Sequence, residues 1–371
     1  MKQGKKILVA PLNWGLGHAA RCIPLISEMQ HLGAEVIIGA DGAALALLRK
    51  EFPALKWIHM PGTVVRYQEK GSLALRLMLQ LPKLLTAVIA EHRQLKKIIA
   101  AEKIDAVIAD NRYGLFARNI PSVFITHQAT IRLPVTLQWM ATIVNVVNHF
   151  FISKFDNCWI ADAEGPGNWS GDLSKGLPAT GKVVFIGPLS RFNSREESRK
   201  YDILILLSGP EPQRTLLETK LTGQFMQYEK TVHPSGSRAR LKVLLVRGVM
   251  EGTDVPVSLS ENFTKVDYLL TRELNSAILS AGLIIARPGY TTIMDLAAIG
   301  GKAIFIPTPG QTEQEYLSNN LMQRGICYSA TQELFDLQTA VSESGNYHGF
   351  TASGSVAWKE HVREWLERIE A

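Results

Sequence analysis

The stretch GLIIARPGYTTIMD, residues 282–295, determines how the second half of the chain folds. It opens as an apolar run typical of a buried strand, and Arg287-Pro288-Gly289 ends that run. The residues that follow read as the start of a helix capped by Thr291 or Thr292. A helix N-terminus presents unpaired N–H groups and the positive end of the helix dipole, so it can hold an anion. The stretch therefore predicts a strand–helix unit with an anion site.

The same alternation of short apolar runs and helical periodicity extends over the rest of the chain. Strands separated by helical patterns indicate βαβ units and a parallel sheet. We therefore predict an α/β fold made of two tandem Rossmann-like, doubly wound domains that face a cleft at the carboxyl ends of their strands. The predicted strands lie at 6–11, 34–40, 106–110, 122–126, 202–207, 241–246, 265–270, 284–286 and 303–307.

Composition changes mark the domain boundaries. Residues 188–200 are rich in Gly, Pro, Ser and charge, which predicts a linker between an N-terminal domain at 1–187 and a C-terminal domain at 201–350. In the closing segment 351–371, Trp358, Val362 and Trp365 share one helical face. This segment is expected to form a helix that packs back toward the N-terminal domain.

The composition is that of a globular protein, with 46% hydrophobic and 20% charged residues. A net charge of +6 and a pI near 9.1 favour an anionic partner such as a nucleotide or a phospholipid surface. Basic and aromatic residues are not interleaved as in nucleic-acid-binding modules, so nucleic acid is not an expected partner. The three cysteines are far apart and odd in number, which favours neither a zinc site nor disulfides.

Two apolar stretches, 73–90 and 133–152, are long enough to suggest membrane spans. Polar residues interrupt both, at a cost in the bilayer centre that argues against spanning helices. The apolar run at 7–12 is shorter than the core of a secretion signal, so we expect a cytoplasmic protein. The interrupting residues are Arg76, Gln80, Pro82 and Lys83 in the first stretch and Gln138, Asn145, Asn148 and His149 in the second.

A glycine loop follows the opening strand in NWGLGHAARCIPL, residues 13–25. Gly15, Gly17 and Ala20 match G-x-G-x-x-A, and Asp41 ends the second strand. Together these residues form a dinucleotide-binding fingerprint with its ribose-binding acid. The alternative is a glycine turn that is needed only because backbone and helix approach closely.

His18 lies between this loop and the first helical turn, where the positive helix end favours the neutral imidazole that a general base requires. Asp110 ends the strand IDAVIAD, and the carboxyl ends of parallel strands open on one edge of a sheet. We therefore predict that Asp110 orients His18. The alternatives are a histidine with no catalytic task and a carboxylate that caps the next helix.

From Leu269 to Tyr328 the chain resembles the donor-binding signature of inverting nucleotide-sugar glycosyltransferases of the GT-B fold. It is similar above all to the lipid II-forming N-acetylglucosaminyltransferases, with their family 28 C-terminal domain, and to the UDP-glycosyltransferases. The resemblance continues weakly over most of the chain through the GxGH loop and the two-domain layout. It implies a nucleotide-sugar donor, expected to be a UDP-sugar, and no separate cofactor.

The resemblance also implies roles for the opening stretch. Gly289, Thr291 and Thr292 would present N–H groups and hydroxyls to the diphosphate of the donor. Asp295 would accept hydrogen bonds from the ribose hydroxyls. Alternatively, Asp295 forms a capping box with Thr292 and contacts no ligand.

Two further segments are expected on the donor side. Gln314 and Glu315 fall where the family holds the hydroxyls of the donor sugar. The loop LLSGPEPQRTLLE, residues 206–218, falls at another phosphate loop of the family and retains Ser208 and Gly209. It departs from the family pattern because two prolines remove backbone donors. Arg214 would supply positive charge in their place, or it is simply a solvated arginine at a helix start.

The resemblance implies an inverting transfer with an oxocarbenium-like transition state. His18 would take the proton of the attacking acceptor hydroxyl, with Gly17 on the donor side of the same loop. The helix at Thr291, together with Arg287 or Arg214, would stabilise the departing diphosphate. The sequence contains no D-x-D pair, so we predict that no metal bridges the diphosphate.

The acceptor side is less defined. Asn111, Arg112 and His127 follow predicted strand ends and are the expected acceptor-side residues. Residues 66–100 interleave basic side chains with leucines, which favours either contact with the inner membrane face and a lipid-linked acceptor, or ordinary amphipathic helices on the sheet. The acceptor itself stays open.

Two other functions fit part of the sequence. One is an NAD(P)-dependent oxidoreductase built on the GxGxxA loop and Asp41, which would leave residues 287–315 without a purpose. The other is a protein that binds a sugar nucleotide and performs no transfer.

Overall fold

The computed structural model describes residues 4–62, 73–165, 167–177, 182–231, 241–354 and 356–370. The chain divides into two compact units, Met1–Leu189 with Ser355–Ala371 and Ser190–Gly354. The second unit includes 190–200, the segment expected to be a linker. Of the stretch 66–100, which is considered above as a membrane-facing segment, residues 66–72 lie outside the described residues.

The first unit contains a parallel sheet of seven strands in the order β3-β2-β1-β4-β5-β6-β7. The strands are β1 (Lys6–Pro11), β2 (Glu35–Ala40), β3 (Trp57–His59), β4 (Ala106–Asp110), β5 (Ser122–Thr126), β6 (Asn157–Ile160) and β7 (Val183–Phe185). The helices are α1 (Gly17–His31), α2 (Gly42–Glu51), α3 (Leu73–Glu102) and α4 (Ala141–Ile152), with 3₁₀ turns at Val135–Met140 and Gly171–Ser174.

The central strands are apolar on both faces. Ile7, Leu8 and Val9 of β1 are fully buried, as parallel strands are when helices cover both sides of the sheet. The strand order reverses between β1 and β4, and ligands of such sheets bind beyond the carboxyl ends of the strands at this point. Pro11 pairs with Asp110 there, which brings the glycine loop beside Asp110.

The second unit repeats the plan in the order β10-β11-β9-β8-β12-β13-β14, with only the edge pair β10 and β11 antiparallel. Its strand order reverses between β8 and β12, beside the loops that follow them. The α/β, doubly wound fold class is therefore confirmed. The elements are β8 (Tyr201–Leu206), α5 (Gln213–Thr231), β9 (Val243–Val246), β10 (Val257–Ser258), β11 (Phe263–Val266), α6 (Thr271–Leu279), β12 (Ala281–Ala286), α7 (Tyr290–Ile299), β13 (Ala303–Phe305), α8 (Thr312–Gln323), β14 (Tyr328–Ser329) and α9 (Leu337–Glu343), followed by a 3₁₀ turn at Ser344–Asn346.

The last helix, α10 (Ala357–Glu370), belongs to the first unit. It packs against α1, and Lys359 Nζ lies 3.3 Å from Glu28 Oε2. Its Trp365 ring meets the ring of Trp159 edge to face, with centroids 5.5 Å apart. The apolar face of α10 is therefore buried against the first unit.

Candidate functional site

His18 and Asp110 are in direct contact at the carboxyl edge of the first sheet. His18 is the second residue of α1, Asp110 ends β4, and His18 Nδ1 lies 2.7 Å from Asp110 Oδ1. Both side chains are buried. A carboxylate only accepts hydrogen bonds, so Nδ1 of His18 carries a proton, and in the neutral imidazole Nε2 then carries none. The arrangement can accept a proton at Nε2.

Arg21 completes this cluster, and the sequence analysis did not select it. It lies three residues after His18 on α1, and its Nε and Nη2 donate to the two oxygens of Asp110. Its Nη1 lies 2.8 Å from Nδ1 of His127, which follows β5. The sequence shows the i, i+3 spacing that puts Arg21 beside His18 on a helix. It does not show that Asp110 is the carboxylate partner of Arg21.

The cluster holds Asp110 as a carboxylate. Burial alone would raise the pKa of Asp110, but the charge of Arg21, the adjacent His18 and their hydrogen bonds hold it well below its usual range. Cys22 Sγ lies 3.7 Å from Asp110 Oδ2, and burial together with this carboxylate raises the pKa of the Cys22 thiol. The site therefore contains one charged carboxylate and one neutral thiol.

Two of the three expected acceptor-side residues are not in this cluster. Asn111 adopts a left-handed backbone with φ of 54°, and its N–H donates to Ile125 O in the turn after β4. Arg112 is buried and structural, because its Nε and Nη groups donate to Glu91 and to the carbonyls of Met60 and Pro61. These contacts give Arg112 a packing role, and its expected contact with the acceptor stays a prediction.

The glycines of the dinucleotide fingerprint form a loop before α1, and its acidic residue, Asp41, accepts a hydrogen bond from the protein itself. Gly15 has φ of 69°, a left-handed conformation that favours glycine, and Gly17 is the first residue of α1. Asp41 is the N-cap of α2, and its Oδ2 accepts a hydrogen bond from Gly62 N at 3.0 Å. Asp41 Oδ1 is buried and has no hydrogen-bond partner among the described residues.

In the second unit, α7 begins at Tyr290 with Gly289 as its N-cap. Thr291 and Thr292 are thus its second and third residues, and the expected threonine cap and capping box are wrong. Gly289 ends the turn after β12 in extended backbone, with φ of −69° and ψ of 139°. No side chain occupies the N-cap, so the amides of the first turn carry no capping hydroxyl.

Asp295 lies deeper in α7 and is buried. Ser190 Oγ donates to Asp295 Oδ1 at 2.7 Å. Burial raises the pKa of Asp295 to about 6, against the opposing charge of Arg191 and the hydrogen bond from Ser190. Asp295 therefore titrates near neutral pH.

Arg287 is a buried cation at the end of β12. It is 1% exposed, its Nη1 donates to the carbonyls of Ile306 and Pro307, and its Nη2 donates to Gln213 O and to Gln332. These four partners carry no charge, and the Nε of Arg287 is buried with no hydrogen-bond partner among the described residues. Burial lowers the pKa of Arg287 to about 10, so the guanidinium stays charged at neutral pH. The contacts join three loops at the sheet edge, and the expected diphosphate contact stays a prediction.

Arg214 is likewise engaged by other side chains. Its Nη1 donates to Glu218 Oε2 at 2.9 Å, and its Nη2 donates to Glu211. Arg214 is therefore held by ion pairs with two carboxylates, one of which also pairs with Arg247, and its expected contact with the donor stays a prediction.

The loops after β8 and β13 meet near Gly209, which has φ of 101°. A Cβ at Gly209 would lie 3.9 Å from Thr308 Oγ1, and that hydroxyl is buried without a partner among the described residues. Gln314 Oε1 accepts from Thr308 N at 2.8 Å, and Glu315 Oε1 accepts from Gly310 N at 3.1 Å. Gln314 and Glu315 thus brace this loop, beside Ser208 and Gly209.

One surface of the first unit is apolar. The segment Val135–Ile152 is long and apolar enough to cross a membrane by length and composition, and 22% of it is buried. We call its exposed face the apolar stripe: Val135, Trp139, Ile143, Val146 and Phe150. Steps of three and four residues place Ile143, Val146 and Phe150 on one side of α4, and the exposed Val135 and Trp139 lie on the 3₁₀ turn before it.

The opposite face of α4 is polar and bonded to the protein. Asn145 bonds the backbone N and O of Ile131, and Asn148 and His149 both bond Ala129 O. Because of these polar residues the segment was expected not to span a membrane. In the structure they form hydrogen bonds with the loop that follows His127. Among the described residues no group of three His, Cys, Asp or Glu side chains could hold a metal ion.

Residues 204–345 match the glycosyltransferase family 28 C-terminal domain. The chain is 26% identical over 339 residues to the UDP-N-acetylglucosamine–N-acetylmuramyl-(pentapeptide) pyrophosphoryl-undecaprenol N-acetylglucosamine transferase of Glaesserella parasuis serovar 5 (strain SH0165), across 89% of this chain and 86% of that protein. It is 25% identical over 333 residues to an uncharacterized glycosyltransferase of Methanosarcina acetivorans, across 84% of this chain and 81% of that protein.

Two solved structures share the fold. The glycotransferase of kitacinnamycin superimposes with a TM-score of 0.61 at 14% identity, over 100% of this chain and 96% of that one. Acinetobacter baumannii MurG superimposes with a TM-score of 0.52 at 15% identity, over 98% of this chain and 99% of that one.

The two doubly wound units and these similarities define a glycosyltransferase of the GT-B fold class. The second unit carries the family 28 C-terminal domain, and the chain is similar over most of its length to the lipid II-forming transferases. The resemblance of residues 269–328 predicted this class, and the prediction is confirmed.

Proposed function

We propose that the protein transfers a hexose from a UDP-sugar to an acceptor hydroxyl, with inversion at the anomeric carbon and without a metal ion. The observation that carries the proposal is the buried contact of His18 Nδ1 with Asp110 Oδ1 at 2.7 Å. A neutral imidazole with an unprotonated Nε2 is what a general base needs to take the proton of a hydroxyl. The absence of a D-x-D pair from the sequence supports a metal-independent reaction.

The second unit is the proposed donor site. The amides at the start of α7, with Gly289, Thr291 and Thr292, suit a diphosphate because they present N–H groups and the positive end of the helix dipole. Asp295 suits the ribose hydroxyls as an acceptor. The Thr308 hydroxyl, buried and unpartnered beside Gly209, supports a polar ligand at the same sheet edge.

In the proposed reaction, the acceptor oxygen bonds to the anomeric carbon while the bond from that carbon to the diphosphate breaks. The hydroxyl proton passes to His18 Nε2, and the electron pair of the broken bond leaves with UDP. The sugar passes through an oxocarbenium-like transition state. The N-terminus of α7 stabilises the charge that develops on the leaving diphosphate.

We propose a lipid-linked acceptor at the inner membrane face. The printed name of the Glaesserella parasuis relative specifies a pyrophosphoryl-undecaprenol acceptor. The apolar stripe supports a membrane contact, since Val135 is 93% and Trp139 66% exposed. At the end of the stripe, Lys154 Nζ lies 4.2 Å from the Phe150 ring centroid, as a basic side chain placed for anionic headgroups would.

Ligand binding and turnover test the proposal. UDP at about a hundred times its Kd should stabilise the protein by ~2.7 kcal/mol in thermal unfolding. UDP release from UDP-N-acetylglucosamine should require a lipid-linked acceptor, and NMR of the product should show the inverted anomer. Stabilisation by NAD(P)H alone would support the oxidoreductase instead. UDP binding without turnover on any acceptor would support a protein that only binds the sugar nucleotide.

A further inference from the structure

Arg21 takes no part in the proposed transfer, yet it contacts His18, Asp110 and His127. It is 1% exposed, bonds both oxygens of Asp110, and lies 3.0 Å from His18 Nδ1 and 2.8 Å from His127 Nδ1. A buried arginine held between two histidines and a carboxylate restricts which protons those groups can carry.

The contacts assign a tautomer to each histidine. Arginine has only donors, so His127 Nδ1 accepts from Arg21 Nη1, and neutral His127 carries its proton on Nε2. His18 Nδ1 donates to Asp110, so neutral His18 has the opposite tautomer. The short distance from Arg21 Nη2 to His18 Nδ1 follows because both nitrogens donate to the same oxygen, Asp110 Oδ1.

We propose that Arg21 is a positioning residue that holds His18 and His127 in opposite tautomers, so that one Nε2 accepts a proton and the other only donates a hydrogen bond. His127 cannot serve as a base through Nδ1 while Arg21 occupies that nitrogen. The proton of the acceptor hydroxyl therefore goes to His18 Nε2. This inference rests on the proposed function for the identity of His18 as the base.

The charge balance of the cluster supports the same role. Arg21 and Asp110 form a neutral pair, so the carboxylate charge is already compensated when His18 takes up a proton. A histidine beside an uncompensated carboxylate would favour the imidazolium, which cannot act as a base. The charged or titratable groups around His18 are Asp110 of β4, Arg21 and Cys22 of α1, and His127 after β5.

Nitrogen-15 NMR of the histidine-labelled full-length protein tests the tautomers directly. The chain has nine histidines, and spectra of His18→Gln and His127→Gln proteins assign the two resonances that matter. In mildly alkaline buffer, we expect His18 to show a protonated Nδ1 and a bare Nε2, and His127 the reverse. A protonated Nδ1 on His127 or a bare Nδ1 on His18 would overturn the proposal. The tautomers themselves are read on the wild-type protein, and the two variants serve only to assign its resonances.

Arg21→Met extends the test to function. His127 should then populate both tautomers, and kcat should fall about tenfold to a hundredfold with the donor KM unchanged, a loss typical for residues that orient a functional histidine. Arg112→Met is the matched control, because Arg112 is also a buried arginine of the first unit but is paired with Glu91. The proposal would be contradicted if His127 kept a single tautomer in Arg21→Met. It would also be contradicted if His127 populated both tautomers in Arg112→Met.

The two proposals fail separately, because the tautomers are measured without donor or acceptor. Transfer that survives His18→Ala, with the tautomers as expected, would overturn only the proposed function. Transfer that requires His18, with the wrong tautomer on His127, would overturn only the role of Arg21.

Discussion

His18 Nδ1 and Asp110 Oδ1 lie 2.7 Å apart although 92 positions separate the two residues in the chain. The parallel register that pairs Pro11 with Asp110 produces this contact, because it puts the loop before α1 beside the end of β4. The register of the sheet therefore determines where the proposed base meets its orienting carboxylate.

Replacing His18 by Ala should lower kcat by about two to four orders of magnitude, the usual cost of losing a general base. The proposed donor site consists of other residues, so UDP should still stabilise the variant in thermal unfolding. A transfer assay gives kcat and thermal unfolding gives the stabilisation by UDP, both on the same preparation. Near-normal turnover in a folded, UDP-binding His18→Ala protein would show that His18 is not the base.

Asp110→Asn should impair both stability and turnover. It leaves Arg21 buried without its carboxylate, and breaking a buried ion pair costs about 3–5 kcal/mol. Urea unfolding gives the stability change and a transfer assay gives kcat. Glu91→Gln is the control, because it breaks the buried pair with Arg112 at a distance from the base. Turnover should fall in Asp110→Asn alone, and an equal fall in both proteins would indicate a general loss of structure.

Asp295 should make stability depend on pH. Its pKa is about 6 in the folded protein and about 3.9 in an unfolded chain, so between these values the folded state binds more protons. Stability should therefore fall as pH rises from about 4 to 6, by up to about 3 kcal/mol, and Asp295→Asn should remove this slope.

Urea unfolding at several pH values measures the slope. Asp336→Asn is the comparison, because the hydrogen bonds that Asp336 accepts from Thr339 lower its pKa and give a contribution of opposite sign. An Asp295→Asn protein with the wild-type slope would mean that Asp295 is ionised through the whole range.

Arg287→Met should destabilise the second unit. The change leaves the carbonyls of Ile306, Pro307 and Gln213 without their donor, and unsatisfied buried groups cost about 1–3 kcal/mol each. Arg368→Met, which removes an exposed pair with Glu364, should change stability by less than about 1 kcal/mol. A stable Arg287→Met protein with greatly weakened UDP binding would support Arg287 as a ligand contact.

Trp139→Asp should weaken binding to anionic vesicles at least about tenfold, since burying one large apolar side chain is worth about 1.5–3 kcal/mol. Trp139 is 66% exposed, so the change should leave thermal stability unaltered. Leu334→Asp is a matched control, because Leu334 is 78% exposed in the second unit. Vesicle co-sedimentation measures the fraction of each protein that is bound. Equal binding by the wild-type, Trp139→Asp and Leu334→Asp proteins would exclude the apolar stripe as a membrane contact.

The sequence was sufficient for the fold and for part of the site. Short apolar runs predict the strands and period-3.6 patterns predict the helices. Because the carboxyl ends of parallel strands open on one edge of a sheet, the sequence also predicts that His18 and Asp110 meet. The three arginines expected at substrates have partners within the protein that sequence reasoning did not foresee. A sequence shows that Arg112, Arg214 and Arg287 follow strand ends, but their partners come from tertiary packing. Those partners are Glu91, Glu211, Glu218 and backbone carbonyls.

The position of α10 has a consequence for synthesis of the chain. Because α10 packs on α1 while the intervening residues form the second unit, the first unit is interrupted in chain order by the whole second unit, after its sheet and before its last helix. Trp159 meets Trp365 only after the ribosome has made more than two hundred further residues. At roughly 5–20 residues per second, the first unit waits on the order of ten seconds or more for its last helix. During that interval the surface of α1 that α10 covers is open to solvent and to chaperones, and the second unit has time to fold first.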